Sequence, residues 1–120
     1  MDFPAEPKPE RITAVIDTRE QTPLTLSPLL SMRATLTTGD YSVRGLENVI
    51  AIERKSLSDL VSCLGWIAQG VPIVMAGSHE KAGEYVAKML YIAARRRWRE
   101  NRIFVSEVMI EGMEPAGTTE

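Results

Sequence analysis

Hydrophobic and β-branched residues in the first half of the chain follow the pattern of short strands. A strand is predicted over residues 12–17, ending at Asp17. Residues 33–43 and 49–55 have the same strand pattern, and the turn former Gly45 lies between them. The first half of the chain therefore predicts one strand followed by a β-hairpin.

The second half of the chain is predicted to be mostly helical. Apolar residues at helical spacing predict a short helix that begins directly after Lys55, with Ser56 as its N-cap. The apolar segment VPIVMAG, residues 71–77, predicts another strand, and residues 78–100 predict the longest helix. The apolar stripe of that helix consists of Ala82, Tyr85, Val86, Met89, Leu90 and Ala93. The segment IFVSEVMI that follows is too short for its pattern to distinguish a helix from a strand.

The predicted hairpin brings acidic residues together. With its turn centred between Leu46 and Glu47, Asp40 faces Glu53 with the two Cβ atoms ~5 Å apart. The period of two along a strand puts Lys55 on the same face as Glu53. Facing carboxylates repel each other unless a proton or a divalent cation lies between them, and Mg²⁺ suits such an all-oxygen site. Two carboxylates, a cation and a lysine are the groups that phosphodiester hydrolysis uses.

The same residues also have an ordinary structural interpretation. A glutamate and a lysine two positions apart on a strand usually form a solvated face, and Asp40 follows a glycine, as turn residues often do. Asp59 is explained by capping the helix that begins at Ser56. A register slip of one residue would also send Asp40 to the opposite face of the hairpin. The residue pattern alone leaves both interpretations open.

Composition narrows the class of protein. The chain has 120 residues, of which 44% are hydrophobic and 25% are charged, values that fit one folded domain. One cysteine and one histidine exclude a disulfide framework and leave too few ligands for a structural zinc site. The sequence shows no apolar signal segment and no stretch of membrane-spanning length. We therefore expect a cytoplasmic protein, associated with the nucleoid if the source is prokaryotic.

Positive charge is concentrated in one part of the chain. The net charge of −2 does not by itself indicate a nucleic-acid partner, but RRRWR at residues 95–99 is strongly basic. Arg95, Arg96 and Arg99 are therefore candidates for contacts with DNA phosphates. Cations in the last turn of a helix also stabilise its negative end, so a purely structural role stays open.

Two motifs resemble those of a known enzyme family. GDY at residues 39–41, followed by ERKSLSD at residues 53–59, resembles the signature of the XPF-type structure-specific endonucleases, the excision-repair cross-complementing group four nuclease domain. VIDTREQ at residues 15–21 is similar to the first strand of that family, and the stretch from VPIVMAG to RRRW is similar to its last βα unit. The resemblance covers about residues 12–99 and implies an α/β fold, with a restriction-endonuclease-like core in which helices flank a central mixed sheet.

The resemblance also implies an activity and a set of site residues. Members of this family cleave DNA near junctions between duplex and single strands and depend on Mg²⁺ or Mn²⁺. Matched by position, Asp40 and Glu53 are expected to bind the metal together with Asp17, and Lys55 is the expected catalytic lysine. Supporting catalytic roles are expected for Glu20, Arg54 and Asp59. Asp17 is expected to have such a role in addition to binding the metal.

The chain departs from the family pattern after the Glu-Arg-Lys motif. In the family a long helix, a further strand and a further helix precede the last βα unit, whereas here only SCLGWIAQG intervenes. We expect a shortened nuclease-like domain at residues 11–104, a disordered tail at residues 1–10 and a second tail at residues 105–120. The exposed face of such a core would need a cover, either IFVSEVMI as a replacement strand or a second copy of the chain.

The departure leaves three functions open. The first is a metal-dependent DNA endonuclease that acts alone or as a homodimer on branched or junction-containing DNA. The second is a catalytically silent module that binds DNA or a protein partner and keeps the nuclease motif. The third is a deleted remnant with no independent function.

Overall fold

The computed structural model describes residues 5–112 of the chain. Three strands are followed by two α-helices, with a single 3₁₀ turn before the first strand and another before the first helix. In chain order the elements are β1 (Thr13–Asp17), β2 (Leu30–Ala34), β3 (Tyr41–Val43), α1 (Leu60–Ala68) and α2 (His79–Gly112). This order confirms the predicted α/β class. Within residues 5–112, no helix combines the length and the apolar character needed to cross a membrane.

The sheet is mixed, and β1 is its central strand. The strand order is β2-β1-β3, with β2 parallel and β3 antiparallel to β1. In this register Val15 of β1 lies opposite Met32 of β2 and Ser42 of β3. The last four residues of β1 are all buried, as expected for a strand that is paired on both edges. The strand predicted at residues 12–17 is therefore confirmed.

Helix α2 packs against the sheet and closes the core. Its residues Val86, Ala87 and Leu90 are buried in one cluster with residues of β1 and β3. At Gly83 the helix approaches the loop before β2 so closely that a Cβ atom would lie 2.5 Å from the carbonyl oxygen of Thr25. A glycine at this point lets the helix backbone rest directly on the loop.

The strand predicted at residues 33–43 is wrong between its two ends. The structure has strands at Leu30–Ala34 and at Tyr41–Val43, and residues 35–40 form a loop between them. Leu36 in this loop is apolar and buried, as a strand residue would be, and this made the segment look like a strand. Its N–H, however, donates to the side chain of Asp17 instead of to a neighbouring strand. Gly39 then turns the chain with a φ of 78°, a conformation that interrupts a strand.

The predicted strands at residues 49–55 and 71–77 are also not formed. In the first segment only Ile52 pairs, through an isolated antiparallel bridge to Tyr41. Residues 71–77 have no regular secondary structure, and the side chains of Val74 and Met75 are more than half exposed. Pro72 lacks a backbone donor, and an apolar segment without a partner strand cannot form a sheet alone.

The helical predictions are right in position but wrong in extent. The first helix is preceded by a 3₁₀ turn at Leu57–Asp59, and the Ser56 hydroxyl donates to the Asp59 carboxylate at 3.1 Å instead of capping a backbone N–H. Helix α2 begins close to the predicted residue but continues to Gly112. The segment IFVSEVMI is therefore helical, so it is neither a replacement strand nor, as far as Gly112, a tail outside regular structure.

The buried face of α2 is rotated from the predicted stripe. Val86 and Leu90 are buried and Ala82 and Met89 pack against the core, as predicted, and Ala87 joins them. Tyr85 is instead 40% exposed. Small residues, Gly83 and Ala87, occupy the face that lies closest to the loop and sheet, and a pattern that weights large apolar residues does not single them out.

The segment before β1 contacts α2. The Tyr91 hydroxyl donates to the carbonyl oxygen of Pro7 at 3.2 Å, and Arg95 Nε lies 3.8 Å from a carboxylate oxygen of Glu6. Residues 5–10, predicted as a disordered tail, therefore have defined contacts in the structure. The remaining residues of the two predicted tails, 1–4 and 113–120, lie outside the described part of the chain.

Candidate active site

The bridge between Tyr41 and Ile52 fixes the register of the predicted hairpin. The Ile52 carbonyl oxygen accepts the N–H groups of Asp40 and Tyr41 at 2.8 and 3.1 Å, and Ile52 N–H donates back to Tyr41 at 2.9 Å. Asp40 and Glu53 are the next residues outward on the two segments, so they face each other as the sequence predicted. The pairing is a single bridge, but its register is the predicted one.

Asp40, Glu53 and Lys55 form the centre of the candidate site. Asp40 Oδ2 accepts the backbone N–H of Arg54 at 2.8 Å, which fixes the carboxylate. Lys55 Nζ lies 3.9 Å from Glu53 Oε2 and 5.6 Å from the centre of the Trp66 ring. The side chains of Glu53 and Lys55 are 38% and 36% exposed, so solvent and a ligand can reach them.

The environment of Glu53 disfavours its charged form. Partial burial raises the pKa of the Glu53 carboxyl, and the negative charge of Asp40 raises it further. Lys55 acts in the opposite direction but does not cancel these effects. A carboxyl group whose pKa is raised by a facing carboxylate gains from a bound cation, because the cation removes the repulsion.

Asp17 is nearly inaccessible and is held by Arg19. The residue is 1% exposed, and its Oδ2 accepts Arg19 Nε at 2.7 Å. Its Oδ1 accepts the Leu36 N–H at 2.8 Å and Arg19 Nη2 at 3.1 Å. These donors, the arginine first and the Leu36 amide next, hold the pKa of Asp17 well below its usual range. Asp17 would bind a metal only if Arg19 moved away.

Arg19 is a site residue that the sequence analysis missed. It is exposed, and its pKa is raised first by the hydrogen bond and charge of Asp17 and then, more weakly, by the charges of Asp40 and Glu53. The arginine therefore lies in the field of all three carboxylates. A carboxylate at the end of a buried strand needs a partner, and an arginine two residues later was the available signal.

Glu20 and Arg54 form a clamp behind the central pair. The Glu20 carboxylate accepts the hydroxyl of the buried Tyr41 and Arg54 Nη1, the latter at 3.2 Å. Arg54 also donates to the carbonyl oxygen of Thr22 at 2.7 Å and to His79 Nδ1 at 3.2 Å. These contacts fix the side chain of Arg54, and the backbone N–H of the same residue donates to Asp40. The clamp therefore helps to position the Asp40 carboxylate.

The remaining predicted site residues have local partners. Asp59 is exposed and accepts the Ser56 hydroxyl. In the arginine cluster, Arg95 lies near Glu6 and 5.5 Å from the Tyr91 ring, and Arg96 Nε lies 3.5 Å from Glu100. Arg99 is exposed on the same helix. Contact of these arginines with DNA stays a prediction.

The donor set of Asp40 and Glu53 fits a hard divalent cation. Mg²⁺ is commonly held by one or two carboxylates, with water and substrate oxygens completing the six ligands. Among residues 5–112, no group of three or more histidine, cysteine, aspartate and glutamate side chains is arranged to hold a metal ion. The structure therefore offers two facing carboxylates, and the third expected ligand, Asp17, is engaged elsewhere.

Fold and site geometry are the available guides to function. The chain matches no model of a known protein family, no curated protein and no solved structure.

Proposed function

We propose that the chain is a metal-dependent DNA endonuclease that hydrolyses phosphodiester bonds near junctions between duplex and single-stranded DNA. The observation that carries this proposal is the arrangement of Asp40, Glu53 and Lys55: two carboxylates face each other beside a lysine on an accessible surface. The proposal includes the fold: the mixed sheet with β1 at its centre would be the shortened core of a restriction-endonuclease-like domain.

Asp40 and Glu53 would hold Mg²⁺ or Mn²⁺. Such an ion, when bound, supplies Lewis acidity at a phosphoryl oxygen and lowers the pKa of a bound water. In the reaction, a bond forms between the water oxygen and phosphorus, and the water gives up a proton to solvent. The bond from phosphorus to the leaving sugar oxygen breaks, and that oxygen takes up a proton from solvent. Lys55 stabilises the negative charge that develops on the phosphoryl oxygens, and the Arg54 N–H keeps the Asp40 carboxylate in place.

One observation favours the silent-module alternative. The nearly inaccessible Asp17 has both carboxylate oxygens occupied by Arg19 and Leu36, so a three-carboxylate site would require rearrangement. A chain with this arrangement could still bind DNA through its basic residues without cleaving it. The two functions differ in one measurable property, which is strand cleavage in the presence of a divalent ion.

Cleavage of flap and splayed-arm DNA, with Mg²⁺, with Mn²⁺ and with chelator, tests the proposal. We expect cleavage by the wild type that depends on the ion. Lys55→Ala should lose about 10²–10³-fold in rate with little loss of DNA affinity, because the lysine acts on charge that develops in the transition state. Lys81→Ala is the matched control, since Lys81 lies on α2 and pairs with Glu84 at 3.5 Å. DNA binding by the wild type without cleavage under any ion would favour the silent module.

We also propose a second copy of the chain as a partner. Three large apolar side chains of α1 are exposed, and the segment after α1 adds others, so this part of the surface is unusually apolar. The six residues are Val61, Leu64, Ile67, Val71, Val74 and Met75. Light scattering should give twice the chain mass of 13.3 kDa, and Leu64→Asp should reduce it to the monomer. A wild-type monomer at concentrations well above micromolar would contradict this pairing.

A further inference from the structure

A groove lies at the end of the sheet opposite to Asp40 and Glu53. It has a volume of about 540 Å³, and it is lined by the start of β1, the end of β3 and residues of α2. Thr13, which begins β1, lines the groove, whereas Asp17 ends the same strand. The four residue steps between them span about 13 Å. The groove is therefore a surface separate from the candidate active site.

Three arginines give this groove its charge. Arg11, Arg44 and Arg97 line it, and all three side chains are exposed. None of them forms an ion pair with any residue in the described part of the chain. No aspartate or glutamate within residues 5–112 lines the groove. Glu47 Oε1 accepts the N–H of the lining residue Gly45 at 2.9 Å, so one carboxylate lies beside the groove. The three arginines outnumber it, and in a chain with a net charge of −2 this local excess of positive charge attracts anions.

The groove changes which arginines of α2 are the best candidates for binding an anion. Arg95 and Arg96 lie near the carboxylates of Glu6 and Glu100, at 3.8 and 3.5 Å, and are partly neutralised. Arg97 was not among the arginines predicted from sequence, yet it is the one that lines the groove. Its position beside Arg11 and Arg44 depends on the packing of α2 against the sheet, which a linear pattern does not show.

An aromatic side chain completes the groove. Trp98 is half-buried and lines the same surface, and the guanidinium carbon of Arg102 lies 5.4 Å from the centre of its ring. Proteins that bind single strands combine cations for the phosphates with aromatic rings on which unpaired bases stack. Bases in a duplex have their faces covered by neighbouring bases, so a ring beside these arginines suits an unpaired strand.

We propose that this groove binds single-stranded DNA, with phosphates on Arg11, Arg44 and Arg97 and a base against Trp98. Binding of a single strand here does not require that the chain cleave DNA. The choice of DNA over RNA rests on the proposed function. Because the groove and the carboxylate pair lie at opposite ends of the sheet, loss of one need not impair the other.

Fluorescence anisotropy with a labelled single-stranded oligonucleotide of about 15 nucleotides tests the inference. The measurement uses the full chain in excess chelator, so that cleavage plays no part. We expect the wild type to bind the single strand more tightly than a duplex of the same sequence. Three phosphate contacts predict a slope of log K against log salt of about −2.

The double variant Arg44→Ala/Arg97→Ala should weaken binding about tenfold or more and make the salt slope less negative by about 1.4. Trp98→Phe should weaken binding of the single strand and leave that of the duplex unchanged. Arg97→Ala and Arg96→Ala are the matched single variants, because each removes one charge from α2 and only Arg97 lines the groove. Circular dichroism would verify that all variants are folded.

Several results would overturn the inference. These are no binding by the wild type, equal binding of duplex and single strand, tighter binding of RNA of the same sequence, and equal losses in Arg96→Ala and Arg97→Ala. If the single strand binds as expected but no cleavage occurs with any divalent ion, the groove assignment stands and the endonuclease proposal fails. If the double variant still cleaves DNA and binds the single strand as tightly as the wild type, the groove assignment fails and the endonuclease proposal stands.

Discussion

Replacing Tyr41 with phenylalanine tests how the candidate site is held in the fold. The Tyr41 side chain is completely buried, and its hydroxyl joins two parts of the chain. It donates a hydrogen bond to the Glu20 carboxylate and accepts the N–H of Leu24 at 2.9 Å. Phenylalanine keeps the ring and removes only this oxygen, so the packing of the core should change little.

The expected loss of stability follows from what the hydroxyl leaves behind. Leu24 is 3% exposed, so its N–H would be buried without an acceptor, which costs about 1–3 kcal/mol. Glu20 keeps its contact with Arg54, and its side chain is 15% exposed, so water can replace part of what it loses. We therefore expect Tyr41→Phe to lower the free energy of unfolding by about 2 kcal/mol. For a domain of this size that lowers Tm by about 8 °C.

Urea denaturation followed by circular dichroism measures this loss. Tyr85→Phe is the control, because Tyr85 is 40% exposed and should change the free energy of unfolding by less than about 0.5 kcal/mol. An absorbance titration gives a second readout: burial, and then the hydrogen bond to Glu20, raise the pKa of Tyr41 to about 12. This highest tyrosine titration step should disappear in Tyr41→Phe. A loss no larger than that of the control would refute the role assigned to the hydroxyl.

Four further outcomes are expected from the site and its surroundings. Because the pKa of Asp17 is lowered in the folded state, its stabilising contribution is full above the unfolded pKa of about 3.9 and is lost as the pH falls below that value. The free energy of unfolding, measured by denaturation from about pH 2 to pH 6, should therefore fall less steeply at acid pH for Asp17→Asn than for the wild type. The raised pKa of Glu53 means that its charge destabilises the metal-free fold at neutral pH, so Glu53→Gln should raise Tm, and Tm unchanged or lower would contradict the repulsion. Millimolar Mg²⁺ should raise the Tm of the wild type, whereas Asp40→Asn should abolish that rise; identical responses would exclude the metal site. Gly83→Ala should destabilise the fold by about 1–3 kcal/mol through its backbone clash, whereas Gly65→Ala, where a Cβ meets nothing within 4 Å, should not.

The sequence predicted the elements whose pattern is local. The β-branched run before Asp17 is buried on both faces, so it indicated β1 directly. The facing of Asp40 and Glu53 followed from a turn position and the period of two, and the Tyr41–Ile52 bridge has that register. Such predictions succeed because the information lies within a few residues of the structure that it specifies.

The sequence failed where a distant partner determines the structure. Strand β2 pairs in parallel with β1 across a long connection, and nothing in LSMRA itself distinguishes it from a loop. Leu36 looked like a strand residue because it is apolar, but it is buried in a loop whose N–H binds Asp17. The apolar segment at residues 71–77 looked like a strand and forms none, since no strand lies beside it among the described residues. Pairing and burial of this kind depend on the whole fold.

The short link between α1 and α2 does not remove the supports of the carboxylate pair. Asp40 is fixed by the backbone N–H of Arg54 and by the bridge at Ile52, both of which precede α1. The clamp that holds Arg54 uses Glu20 and Thr22 before α1, and among the described residues after the link it contacts His79. The exposed apolar side chains of α1 therefore lie next to the link, whereas the residues that bring the carboxylates together precede α1. If the chain proves inactive, the physical cause to test first is the occupation of Asp17 by Arg19. Arg19→Ala removes both side-chain donors to that carboxylate and leaves the backbone donors of residues 19 and 36, so it should then increase binding of a divalent ion.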